Sequence, residues 1–296
     1  MILALVVTHN RLEYLKKCIK CIKSQTLKPT KLLIIDNDSK DGTNDYLKQN
    51  NISNIHAENN GSAGGWNLGV KYAIENNYKF IWMMDDDGYP NDNSLQILFN
   101  NFTTKYSSLS SLVLDSNDNK KLAIPLPILN KNKNPVIFNF KRKIRYKSEL
   151  IKYGNYYEFA NFFNGTLISV KSINKIGNVN KDYFIYGEEV DYFHRLRKVG
   201  KVSTCLNSFH FHPSINKSWT RIKIYYYLKN SIHLNYKYYD YPFIRSLLNI
   251  FVIFYRIIRF NKFLFFLKTF KFKNLKNIFI AIFRGFNSKI GEDYFE

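Results

Sequence analysis

Short runs of apolar residues recur through the first hundred positions, and each is followed by a stretch where apolar residues return every three or four places. ILALVVT (2–8) precedes a helical pattern from about Leu12 to Ser24, in which Leu15, Cys18, Ile19 and Ile22 share one face. KLLIID (31–36) precedes DGTNDYLKQN, a helix with an Asp/Thr start. A weaker strand at Ile52–Ala57 leads through a Gly-rich turn into the helix GWNLGVKYAIENN. KFIWMMD (79–85) is the next strand and NDNSLQILFNNF the next helix. Continuously apolar strands alternating with amphipathic helices predict a parallel sheet covered on both faces. Right-handed crossovers then bring the C-terminal ends of the strands to one edge, where ligands of such sheets bind. Thr8, Asp36 and Asp85 fall at that edge.

From about 101 to 158 the pattern weakens, and the basic segment LNKNKNPVIFNFKRKIRYKSE reads as a loop or insertion. Order returns with FANFFNGTLISVKSINKIG (159–177). A helical YGEEVDYFHRLRKVG and a strand KVSTCLNSFHFH follow. After Pro213 aromatic and basic residues dominate: positions 221–296 hold 14 Lys and Arg against 4 Asp and Glu, with apolar residues at helical spacing. The expected organisation is an α/β domain over 1–220, with halves meeting near 105, and a basic aromatic helical module over 221–296.

Composition changes the picture in one respect. The chain of 296 residues is 45% hydrophobic and 17% aromatic, enough for a large core, but its net charge is +21. Such an excess attracts nucleic acid, anionic lipid or phosphorylated substrates. Cys18, Cys21 and Cys205 cannot build a disulfide framework, and the C-x-x-C pair lies on the predicted helix with no second pair to complete a zinc site. The N-terminus lacks the charged flank and cleavage site of a signal peptide, and no run of 18 apolar residues is present. A reduced, cytoplasmic protein without a transmembrane span is expected.

Four constellations carry candidate chemistry. Asp85, Asp86 and Asp87 end a strand buried on both faces, where adjacent carboxylates suit a hard divalent cation or, alternatively, an acidic turn that caps a helix. NNGSAGGWNLG (59–69) offers backbone access and helix N–H groups to an anion, or is simply the turn that starts a helix. Glu188, Glu189 and Asp191 sit in the first turn of a predicted helix as caps, or as a base beside a metal–phosphate site. His210 and His212, two apart on a strand, face one side, and one of them is a plausible metal ligand.

VVTHNR, LLIIDNDSKDGT, NNGSAGGWNLGVKYA, WMMDDDGYP, FFNGTLIS, YGEEVDYFHRLRKVG and FHFHP…YYYLKN occur in an order that resembles family-2 glycosyltransferases over residues 1–235. The likeness is strongest to their rhamnosyl- and galactofuranosyl-transferase branch. It implies a GT-A fold, a nucleotide-sugar donor, a divalent cation (Mn2+ or Mg2+) and inversion at the anomeric carbon. By the same resemblance, Thr8, Arg11 and Asp36 meet the nucleotide. Asn59 and the Gly64–Gly65–Trp66 turn form the donor-side loop. Asp85 and Asp87 are the outer members of the D-x-D motif, with Asp87 and His212 as metal ligands, Asp85 turned to ribose or metal, and Asp86 on the donor side; His210 is the fallback ligand. Asn164, Gly165 and Glu188 lie on the acceptor side, and Glu189 is the base. The GSAGGW loop favours UDP-galactofuranose, with dTDP-rhamnose next. The basic tail, 243–296, suits an anionic cytoplasmic membrane face and a lipid-linked glycan acceptor, and a homo-oligomer is possible. A nucleic-acid-binding protein or a nucleotidyltransferase is the alternative, but no nucleic-acid-binding module is recognisable and no Lys/Arg-rich phosphate loop follows the first strand.

Overall fold

The computed structural model describes residues 1–214, 219–260 and 272–294. The chain divides into two compact units. The first comprises Met1–Asn60, Gly64–Val179 and Tyr192–Ile215, and the second Gly61–Ala63, Asn180–Asp191 and Asn216–Glu296.

In the first unit, β1 (Ile2–Thr8), α1 (Leu12–Lys23), β2 (Lys31–Asn37), α2 (Thr43–Gln49), β3 (Asn54–Ala57) and α3 (Gly61–Glu75) follow the predicted alternation, with α3 beginning in residues assigned to the second unit. β4 (Phe80–Asp85), β5 (Tyr89–Pro90) and α4 (Ser94–Asn101) come next. β1 is paired in parallel with β2 and β4, placing Thr8 opposite Asp36 and Val7 opposite Asp85, so the three polar strand ends do share one edge. The continuous apolar runs have the expected cause. Leu3, Leu5 and Val7 pack with Trp66, Val70 and Ala73 on one face, while Ile2, Ala4 and Val6 pack with Leu15, Cys18, Ile19 and Ile22 on the other. Asp41 Oδ2 accepts the Leu12 N–H and holds the start of α1.

The stretch that reads as weak contains a central strand. β6 (Tyr106–Asp115) is buried at every position. Its four serines obscure it in sequence, yet Ser110 Oγ meets Thr166 Oγ1 at 2.8 Å and Ser111 Oγ meets Ser208 Oγ at 2.8 Å. Small hydroxyls paired across strands cost little to bury. The expected loop or insertion also carries structure: β8 (Lys143–Tyr146) lies within it and pairs antiparallel with β7 (Lys121–Pro127), just before it. β9 (Tyr156–Tyr157), β10 (Asn164–Ser169), α5 (Val170–Ile176), α6 (Glu188–Arg197) and β11 (Lys201–His212) complete the run, α6 starting in residues assigned to the second unit. The main sheet order is β3-β2-β1-β4-β10-β6-β11-β5; β10 is antiparallel to both its neighbours and β11 parallel to β6.

The helix expected from Gly65 begins at Gly61, so the glycine-rich stretch is the first turns of α3 rather than an open loop. Gly65 is required by packing: a Cβ there would lie 2.7 Å from Val7 Cγ1 and 2.8 Å from Asn37 Nδ2. Trp66 is buried and stacks on Phe163, with centroids 4.4 Å apart at 22°.

The second unit contains α7 (Arg221–Tyr238), α8 (Pro242–Phe260) and α9 (Phe272–Phe286). Ile224, Tyr226, Leu228, Ile253, Ile257, Ile278 and Ala281 form its core. Residues 261–271, the middle of the expected amphipathic stretch, lie outside the described residues. Phe251, Tyr255 and Ile258 of α8 and Phe279 and Phe283 of α9 are exposed. Among the described residues, no helix is long and apolar enough to cross a membrane.

Trp66→Ala is expected to destabilise the protein by about 3–5 kcal/mol, the usual cost of emptying a packed aromatic site. Urea unfolding checks this, and a loss below about 1 kcal/mol would contradict the packing role.

Candidate active site

The apolar strand β4 delivers Asp85, Asp86 and Asp87 in succession at the C-terminal edge of the parallel strands. Taking carboxylates out of water is costly unless partners replace it. Asp86, the residue with the least specific assignment in sequence, proves the most enclosed: it is 3% exposed, accepts the Thr8 hydroxyl at 2.7 Å and the Arg11 Nη1 at 3.0 Å. The same Arg11 Nη1 donates to Asp87 Oδ2 at 2.7 Å. Burial works against the charge of Arg11, but Asp86 and Asp87 outweigh it and leave the guanidinium pKa raised. Burial raises the Asp86 carboxyl, with Arg11 and Thr8 pulling the other way.

Asp87 Oδ1 faces His212 Nε2 at 3.0 Å. Topology brings them together: after Gly88 the chain reverses, and β5 pairs antiparallel with β11 at His210 and Phe211. Gly88 admits that reversal, since a Cβ would lie 2.3 Å from His210 Nε2. His212 Nδ1 donates to the Pro213 carbonyl at 2.7 Å, which fixes the ring and aims Nε2 at Asp87. Burial lowers the His212 pKa, and the Asp87 bond and charge more than reverse that. His210 is different. It is fully buried, neither ring nitrogen has a hydrogen-bond partner among the described residues, and burial pushes its pKa down to about 3.

The donor set fits a divalent ion with a limited protein share. Two neighbouring ligands around an octahedral ion with ~2.1 Å bonds stand about 3.0 Å apart, the separation found between Asp87 Oδ1 and His212 Nε2. An imidazole whose other nitrogen donates to a backbone carbonyl is the usual arrangement of a ligating His. Among the described residues, however, no group of three or more His, Cys, Asp or Glu could hold a metal. Asp85 does not join Asp87 and His212 in such a group among the described residues. Burial, with Asp87 and Asp86 alongside, raises the Asp85 carboxyl well above the usual range.

The remaining sequence candidates in this unit are distributed unevenly. Asp36 is fully buried, accepting the Ser39 N–H at 3.0 Å and facing His56 Nδ1 at 2.9 Å, a partner that no sequence pattern indicated. Asn59 is exposed, its Nδ2 3.5 Å from His9 Nε2. Gly64, Gly65 and Trp66 do not form a donor-side turn: they are helical, and Trp66 is spent on the core. Asn164 and Gly165 form a bulge against β4, where the Phe163 carbonyl takes the Asp85 N–H at 2.7 Å. Asn164 is buried, and Gly165, at φ 75°, packs on His210.

Glu188 and Glu189 belong to the second unit. Ser62 donates its hydroxyl to Glu188 Oε1, and the Gly187 N–H donates to Glu189 Oε2 at 2.8 Å. Burial raises the Glu189 pKa, opposed by backbone N–H bonds and by Glu188. Asp191 is buried and accepts from Lys237 Nζ at 2.8 Å and the Tyr238 hydroxyl at 2.6 Å. The Ala63 N–H donates to the Phe184 carbonyl, so the start of α3 is not the open anion site that its glycines suggest.

Arg11→Met removes the main cation from Asp86. The expected loss at pH 7 is about 2–3 kcal/mol, below the ~3–5 typical of fully buried pairs because Arg11 is partly exposed and screened. An acid whose folded pKa is raised binds more protons folded than unfolded, so stability falls as pH rises through the window above its ordinary value. Without Arg11 the Asp86 pKa rises further and the window widens. The loss should therefore shrink towards pH 4, as measured by thermal unfolding of both proteins; a pH-independent difference would contradict the assignment.

The sequence profile described as "Glycosyl transferase family 2" matches residues 4–177, more than half of the chain. The galactofuranosyltransferase GlfT1 of Mycolicibacterium smegmatis is 28% identical over 219 residues, covering 72% of this chain and 71% of that protein. GlfT1 of Mycobacterium tuberculosis is 29% identical over 222 residues, covering 72% and 70%. Among solved structures, S. aureus TarS 1-349 in complex with UDP aligns at TM-score 0.55 and 11% identity, over 96% of this chain and 79% of that one. The Pyrobaculum calidifontis mannosyltransferase PcManGT, in complex with GDP-Man and Mn2+, aligns at TM-score 0.54 and 12% identity, over 96% and 73%. A parallel N-terminal half, a strand ending in an aspartate cluster and this ordered family match lead to one conclusion: the chain is a glycosyltransferase of family 2 with the GT-A fold.

Proposed function

We propose that this glycosyltransferase moves galactofuranose from UDP-galactofuranose to a hydroxyl of a glycan or lipid-linked glycan acceptor in bacterial surface polysaccharide synthesis, with inversion at the anomeric carbon. The observation that carries the reading is the Asp87–His212 pair, 3.0 Å apart, beside the Arg11–Asp86 pair at the end of β4. The likeness to GlfT1 over 72% of the chain supports the donor sugar, with dTDP-rhamnose second.

In this reading, Glu189 accepts the proton of the attacking hydroxyl. Burial raises its pKa and so strengthens it as a base, while the Gly187 N–H keeps it ionised. Asp87 and His212 would hold Mn2+ or Mg2+, with the remaining positions left to donor phosphates and water. When bound, such a cation neutralises charge developing on the departing diphosphate. Arg11 holds Asp87 in place from its other oxygen, and Thr8, Arg11 and Asp36 mark the nucleotide edge. Asn164, Gly165 and Glu188 remain on the acceptor side.

The exposed apolar stripes of α8 and α9 lie among Lys and Arg residues, a combination that suits the anionic inner face of the cell membrane. In this reading the protein is peripheral, working where a lipid-linked acceptor would be presented.

Asp87→Asn and Glu189→Gln should each cut transfer at least ~100-fold with the fold intact, as loss of a metal ligand or general base does. Near-normal turnover by either purified variant would sink its role. Of UDP, dTDP and GDP, only UDP with Mn2+ should raise the melting temperature, because a ligand that binds only the folded state stabilises it; a shift for dTDP alone would move the donor to rhamnose. The protein should co-float with phosphatidylglycerol vesicles, and Phe251→Glu with Ile258→Glu should abolish flotation. Unchanged flotation of that double variant would remove the membrane reading.

A further inference from the structure

Residues 183–187 run into the first turn of α6 through a backbone that residues with side chains avoid. Phe184 has φ 60° and ψ −72°, Tyr186 has φ 61° and Gly187 has φ 105°. The Phe184 values lie in the strained γ-turn region, and a backbone of this kind persists only where its surroundings over-determine it.

The restraint comes from α7. Asn230 is fully buried, and its Nδ2 lies 2.9 Å from the Tyr183 carbonyl, 3.1 Å from that of Ile185 and 2.7 Å from that of Tyr186. Three carbonyls around one atom require the amide nitrogen there, and its two hydrogens are shared among them. The Asn230 Oδ1 is buried with no hydrogen-bond partner among the described residues, so the residue is kept at a desolvation penalty. From the opposite side the Ala63 N–H donates to the Phe184 carbonyl at 3.1 Å, and a Cβ on Gly61 would meet that oxygen at 2.1 Å. The clamped loop ends in the Gly187 N–H that donates to Glu189 Oε2 at 2.8 Å.

We infer that Asn230 is a positioning residue for the reaction: by holding three carbonyls of the 183–187 loop, it aims the Gly187 N–H at Glu189 and so fixes the direction and basicity of that carboxylate. The inference rests on the reading of Glu189 as the base. A hydrogen bond to the charged form lowers a carboxyl pKa, so losing the Gly187 bond raises it. Among the described residues, the titratable groups acting on Glu189 include Glu188 beside it and the Tyr227 phenol of α7, itself acted on by Arg256 of α8.

Asn230→Asp and Asn230→Ala in the full chain test this, with UDP release from UDP-galactofuranose measured against an alkyl galactofuranoside. The expected result is a kcat lower by about tenfold or more, a donor KM within about twofold of the parent, and an acidic limb of the pH–rate profile moved to higher pH. Hydrogen exchange over residues 183–190 should accelerate while the UDP–Mn2+ melting shift is kept, which shows that the variants still fold. A parental kcat, an unmoved acidic limb, or exchange as slow as in the parent would each overturn the inference. Glu189→Gln run alongside separates the two claims. If it turns over normally the base reading fails, whereas an inactive Glu189→Gln beside fully active Asn230 variants leaves the base standing and removes Asn230. The exchange measurement does not depend on the donor, so it decides the loop's dependence on Asn230 even where UDP-galactofuranose is not turned over.

Discussion

Three consecutive carboxylates at the end of a strand with no polar residue before them must be neutralised where water is scarce. Each would cost several kcal/mol if left unpaired, and the first unit is arranged around that demand. Thr8 at the end of β1 and Arg11 just beyond it reach Asp86, and Arg11 continues to Asp87. The reversal at Gly88 seats β5 on β11, which brings His212 to the far oxygen of Asp87. Arg11 and His212 are two cationic partners for three acids, and Asp85 is left to hold its proton more tightly than a surface aspartate. A site with spare carboxylate capacity at the ligand edge of a sheet is suited to a divalent ion that arrives with its substrate.

The second unit answers a different problem, the placing of two adjacent glutamates at a helix start. Asp191, one turn along, is tied to Lys237 and Tyr238 of α7, and the approach loop is tied to Asn230 of the same helix. Lys229, the neighbouring residue on that helix, is fully buried, and its Nζ reaches Asp293 Oδ1 and the Gly291 carbonyl at 2.5 Å each. Consecutive residues of α7 thus restrain both the loop before the glutamates and the end of the described chain. For this reason the segment 180–191 groups with the C-terminal helices although it lies among sheet residues in sequence.

The sheet edge was legible because a short run of branched apolar residues between turn signals can bury both its faces only inside a covered sheet, and the polar strand ends followed from topology. β6 was not, because YSSLSSLVLD conceals a buried strand behind hydroxyls, two of which, those of Ser110 and Ser111, find their partners only in residues ~55–100 positions away in the chain. The glycine-rich stretch misled for a related reason. Glycine signals close approach without saying to what, and at Gly65 the close neighbours are Val7 and Asn37 of the sheet. Spacing alone left His210 and His212 equivalent, since residues two apart share a face, and only the family resemblance put His212 first; in the structure β5, only two residues long, pairs with β11 at His210, while His212 lies beside Asp87. Asn230 stood at the end of the quoted YYYLKN stretch, but nothing there gave its role, because the three carbonyls it holds are backbone groups.

A calorimetric Mn2+ titration, run on the protein alone and on the protein saturated with UDP, tests the central claim most directly. Two protein ligands are too few for tight binding on their own, so Mn2+ should bind weakly without nucleotide and at least ~tenfold more tightly with UDP. His212→Gln should remove that gain. A Mn2+ affinity that is indifferent to UDP and unchanged in His212→Gln would contradict the account.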